Sequence, residues 1–160
     1  MYRIYRFLMS MSSARLVLVS FITKILISLI SVGVVYCLYY SGIVLSDNQP
    51  SVTKYDLATQ FVSVIIVAPL LETFLFQYLP INLFLSYVKI PHRNLFAALV
   101  SSILFGLEHY YSMAYIINTF FIGLVLAYTY LFAMHSGKSA FWIAATVHCL
   151  SNLLSFLLRL

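Results

Sequence analysis

Residues 57–88 read LATQFVSVIIVAPLLETFLFQYLPINLFLSYV, an apolar stretch whose single charge is Glu72. At 1.5 Å of rise per residue, a helix of this length exceeds the ~30 Å hydrocarbon core of a bilayer. A carboxylate facing lipid at that depth costs on the order of 3 kcal/mol. Glu72 is therefore expected to turn inward, toward other polar groups, and the search for its partners organises the rest of the chain.

The solvent follows from composition. The 160 residues are 63% hydrophobic and 8% charged, with a mean hydropathy of +1.01. A soluble domain is nearer a quarter charged, so the chain reads as an all-α, polytopic membrane helix bundle forming a single domain over residues 1–160. The net charge of +5 does not indicate nucleic acid, because the nine Lys/Arg sit singly at the ends of apolar runs and form no basic face with interleaved aromatics. Thirteen Tyr and thirteen Phe suit interfacial belts and packing in lipid. Cys37 and Cys149 lie within apolar runs, where a thiol behaves as a small hydrophobe.

About five spans are expected, with four and six as the bounds. The first runs from about Leu16 to Tyr40, interrupted by Lys24, which either snorkels or faces the bundle. It is too long for a signal-peptide core and reads as a retained anchor. Residues 41–56 form a polar loop in which Asp47-Asn48-Gln49-Pro50 signals a turn. The run 57–88 is too long for one straight span, and Pro69 and Pro80 are expected to kink or end it. Further runs cover Leu95 to about His109, Met113 to Met134 and Ala140 to Leu158. With the N-terminus inside, Arg3, Arg6, Arg15, Lys89, Arg93 and Lys138 fall on the cytoplasmic side and Lys54 and Arg159 outside. That bias places the chain in a cell (inner) membrane with its N-terminus cytoplasmic.

The polar residues within these runs are of catalytic types. His148 and Asn152, in HCLSN, are four apart and share a helix face; together they can donate hydrogen bonds to one developing oxyanion. The bland alternative is interhelical glue. Phe105 and His109, in FGLEH, also share a face, whereas the adjacent Glu108 points ~100° away, toward Lys24 or the outer interface. Glu72, in APLLETFLFQ, can act with His109 to polarise a water. His109 is expected near the outer end of its run and His148 nearer the inner end, a mismatch in depth that tilt must reconcile.

E-x-x-x-x-[R/Q], F-x-x-x-H and H-x-x-x-N, each on its own apolar run and in that order, resemble the CPBP family. These are the CAAX-protease and bacteriocin-processing (Abi) intramembrane endopeptidases, and the resemblance covers about residues 60–158. It implies that Glu72 is the water-activating base, His109 its partner on the water, and His148 with Asn152 the oxyanion site. Two positions depart from the family's EExxxR motif: its second glutamate is Thr73 here and its arginine is Gln77. The resemblance gives those positions supporting roles beside the first glutamate.

The expected activity is hydrolysis of a peptide bond in a hydrophobic or lipidated peptide or protein terminus, within membrane lipid and with no nucleic-acid partner. No cofactor is expected. Zinc held by two His and a Glu is the disfavoured alternative, since HExxH-type spacing is missing. The competing functions are a non-catalytic CPBP-like scaffold or bacteriocin-immunity protein and, more remotely, a haem protein with His109 and His148 as axial ligands.

Overall fold

The computed structural model describes Phe7, residues 10–42 and residues 56–158. Among the described residues it is an all-α bundle with five long helices: α1 (Ser13–Tyr40), α2 (Leu57–Tyr87), α3 (Arg93–Glu108), α4 (Met113–His135) and α5 (Ala140–Leu157). Four of them are long and apolar enough to cross a membrane, and the chain is a multi-pass membrane protein. The exception is α3, whose 16 residues rise about 24 Å, short of the hydrocarbon thickness. The expected 47–50 turn and the topology charges Arg3, Arg6, Lys54 and Arg159 lie outside the described residues.

Three helices start at side-chain caps. Ser12 accepts from the Arg15 N–H, Asp56 from the Thr59 N–H at 2.9 Å and its hydroxyl at 2.6 Å, and Ser112 from the Tyr115 N–H. Each supplies an acceptor to a first-turn N–H that has no partner within the helix.

The prolines were expected to kink or end the 57–88 run, yet α2 continues through both. Each is preceded by a turn of wider, π-helical pitch, Val62–Val67 before Pro69 and Thr73–Tyr78 before Pro80. The wider turn absorbs the clash between the proline ring and the carbonyl upstream. It cannot replace the missing N–H. In lipid a freed carbonyl must be satisfied by a neighbouring helix, and two polar side chains do so. Ser101 on α3 donates to the Phe76 carbonyl at 2.5 Å; Phe76 is four residues before Pro80. Asn152 on α5 donates through Nδ2 to the Val64 carbonyl at 3.0 Å; Val64 is five residues before Pro69, the π-helical donor position.

Small residues let the helices close on one another. Leu16, Ile81, Ala97, Ala98, Ala127, Ala133, Ala140 and Ala144 form a buried core at the end of the bundle that carries the 88–92 and 136–139 loops. Close approach through alanine is how helices associate where lipid supplies no hydrophobic drive. Gly106 and Gly123 do the same between α3 and α4. A Cβ on Gly123 would lie 3.1 Å from both Phe105 Cδ1 and Ser102 Cα, so this glycine makes the space that Phe105 occupies. Outward faces are apolar: Leu18, Ile22, Leu26, Leu29 and Ile30 on α1 are all exposed, as lipid contact requires.

Ser101→Ala leaves the Phe76 carbonyl unpaired and should destabilise the bundle by about 1–2 kcal/mol. Adding Pro80→Ala restores an N–H to that carbonyl and should recover much of the loss. Thermal unfolding of the two variants in detergent checks this; fully additive losses would mean that Ser101 serves another purpose.

Candidate active site

Glu72 sits near the middle of α2, between the two widened turns. Its Oε2 lies 3.5 Å from Nε2 of His148 on α5. On the other side of that imidazole, Nδ1 is 3.5 Å from the hydroxyl of Thr73, a long contact. An ionised Glu72 at this ion-pairing distance favours a proton on Nε2, and Nδ1 can then accept from the Thr73 hydroxyl. Consecutive residues of one helix thus hold both nitrogens of a histidine that is 3% exposed.

His109 ends α3. Its backbone leaves the helix, and its Nδ1 donates to the Phe105 carbonyl at 2.8 Å, one of the carbonyls left over at a helix C-terminus. A carbonyl only accepts, so the proton is on Nδ1 and the neutral ring offers Nε2 as an acceptor. Phe105 lies between the histidines, its ring 4.7 Å from that of His109 and 5.6 Å from that of His148.

Glu72, His109, His148 and Asn152 all line one cavity of about 580 Å³, together with Lys24, Tyr115 and Asn118. The expected conflict in depth between His109 and His148 does not arise, because α3 is short and Phe105 links the two rings. Two contacts add to the expected arrangement. Glu72 lies at ion-pairing distance from His148, a contact the sequence did not suggest. Asn152 commits one amide hydrogen to the Val64 carbonyl, which leaves one hydrogen for the cavity. Glu108 is exposed.

The cavity reaches one end of the bundle, which we call its mouth. Leu57, Gln60, Tyr111, Leu154 and Leu158 belong to its lining there, at the ends of α2, α4 and α5 farthest from the alanine-rich core. Arg15, Lys89, Arg93 and Lys138 belong to the opposite end, while Asp56 and Glu108 stand at the mouth end.

The structure places three further positions that the sequence singled out. Thr73, expected to support Glu72, reaches His148. Gln77 is fully buried, and neither amide atom has a hydrogen-bonding partner among the described residues. Lys24, 7% exposed, faces the cavity, the inward of its two expected placements. The signal for Lys24 was legible, since Ser20, Lys24, Ser28 and Ser31 recur every three or four residues on one face of an otherwise apolar helix. Among the described residues no group of three His, Cys, Asp or Glu side chains is placed to hold a metal ion.

The type II CAAX prenyl endopeptidase Rce1-like family matches residues 54–154, which is α2 to α5 and excludes α1. Among curated proteins and solved structures, none matches the chain. The family match covers well over half of the sequence and runs through every one of the motifs on α2, α3 and α5. The chain belongs to the Rce1-like family of type II CAAX prenyl endopeptidases, a family of membrane proteases acting on hydrophobic protein substrates.

Proposed function

We propose that the chain hydrolyses a peptide bond of a hydrophobic or lipidated peptide with Glu72 as general base. The observation that carries this reading is the convergence of Glu72, His109 and His148 on one cavity inside an apolar bundle. A water held between Glu72 and Nε2 of His109 attacks the scissile carbonyl carbon, and Glu72 takes its proton. Protonation weakens the hold of Glu72 on the His148 Nε2–H, so that donor is released as the oxyanion forms. His148 and the second amide hydrogen of Asn152 stabilise the oxyanion. Collapse of the tetrahedral intermediate breaks the C–N bond, and the proton on Glu72 passes to the leaving nitrogen. No metal takes part.

Glu72→Gln keeps the shape of the side chain and removes the base. On an internally quenched farnesylated CAAX peptide it should lower the rate ~10²–10⁴-fold, while Glu108→Gln should be mild and metal chelators should leave the wild-type rate unchanged. A fully active Glu72→Gln preparation would remove Glu72 from the mechanism, and wild type that cuts nothing would favour a scaffold. Stoichiometric zinc lost from His109→Ala and His148→Ala would replace the glutamate mechanism with a metal one.

Asn152→Ala should lower kcat about 10²–10³-fold with a smaller change in KM, because an oxyanion donor acts in the transition state. The same variant should also melt at a lower temperature, since the Val64 carbonyl loses its donor. A KM effect without a kcat effect would restrict Asn152 to packing.

The basic end of the bundle is cytoplasmic by the positive-inside rule, which puts the N-terminus inside a cell membrane and the cavity mouth on the opposite face. This arrangement favours hydrophobic peptides presented outside, such as secreted precursors or sorting tails, over tails held in the cytosol. Intact cells should cleave an impermeant quenched peptide added outside at a rate close to that of permeabilised cells. Cleavage that needs permeabilisation would reverse the orientation.

A further inference from the structure

Lys24 lies on α1, which precedes the family-matched residues. Four α1 side chains are buried within the bundle, Leu16, Ser20, Lys24 and Ser31, and three of them are polar. Ser28 on the same face lines the cavity, and Ser31 hydrogen-bonds Asn118 of α4. This helix turns its polar stripe inward and its apolar surface to lipid. A helix serving only as an anchor has no need of such a stripe, and least of all of an ammonium that is 7% exposed, because an isolated buried charge is costly.

The cavity lining supplies its counter-charge. Among the residues that line it, Glu72 is the sole carboxylate and Lys24 the sole lysine or arginine. Both side chains line that one cavity, Glu72 from α2 and Lys24 from α1. No other cation approaches Glu72 from its own helix, where Gln77 is neutral and its amide unpartnered.

We propose that Lys24 is the counter-cation of Glu72, a positioning residue on α1 that balances the carboxylate's charge and holds it in place in the cavity. The helix outside the matched region is then part of the machinery. The inference deepens the protease reading for its kinetic consequences, but the charge pair itself does not depend on it.

A double-mutant cycle on the full chain in lipid nanodiscs tests the pair without any substrate. Lys24→Met should lower the melting temperature by leaving Glu72 unbalanced, and adding Glu72→Gln should recover most of the loss. Should Lys24→Met fail to fold, a folded Lys24→Met/Glu72→Gln protein carries the same meaning. Additive losses, or equal failure of both variants, overturn the pairing. With the farnesylated CAAX peptide, Lys24→Met should lower kcat about 10–100-fold with KM unchanged, and Lys24→Arg should recover most of that. A raised KM with unchanged kcat would instead make Lys24 a substrate contact and overturn the proposal. Wild type that cuts no peptide sinks the protease reading and leaves the cycle to judge the pair.

Discussion

Every backbone carbonyl inside a bilayer must find a donor, and two prolines on α2 break that rule unless other helices intervene. Ser101 and Asn152 restore it from α3 and α5. These two bonds dock the short helix and the last helix against the one that carries Glu72. With α3 and α5 so placed, His109 and His148 reach the cavity from opposite sides of Phe105. The prolines thus define the site as much as the titratable residues do: they widen the helix on either side of Glu72 and create the vacant acceptors to which its neighbours attach.

The exchange of a second carboxylate for Thr73 has a specific chemical meaning at His148. A hydroxyl can both donate and accept, whereas an ionised carboxylate only accepts. Beside Thr73, His148 can stay neutral with its single proton on Nε2, directed at Glu72. Two carboxylates flanking the same ring would demand a proton on each nitrogen. The departure at position 73 is therefore compatible with the oxyanion role proposed for His148, while the acceptor-only carboxylate of Glu72 decides which nitrogen carries the proton.

Much of the architecture was legible in the sequence because bilayer thickness is a coarse ruler. The long apolar runs, their polar interruptions and the F-x-x-x-H and H-x-x-x-N faces placed all five described helices and the side chains of interest. Of the two outcomes expected at Pro69 and Pro80, a kink or an end, the helix does not end: in lipid the backbone has no alternative partner, and α2 continues through wider turns. The same property hid the role of Asn152 at Val64, since a carbonyl freed by proline leaves no mark in a side-chain pattern. Lys24 stood out as a charge in an apolar run, expected either to snorkel or to face the bundle; the spacing of Ser20, Ser28 and Ser31 on its face is the pattern that decides for the inward placement.

The brevity of α3 has a consequence for the surrounding lipid. A helix of 16 residues is shorter than the hydrocarbon it borders, and a bilayer answers such hydrophobic mismatch by thinning. His109, on the cavity lining, and the stacked Tyr110 and Tyr111 stand at one end of that short helix. Thinning there would draw headgroups and their hydration toward the level of the polar side chains. A short helix would in this way bring water to a depth that a bilayer of full thickness keeps dry.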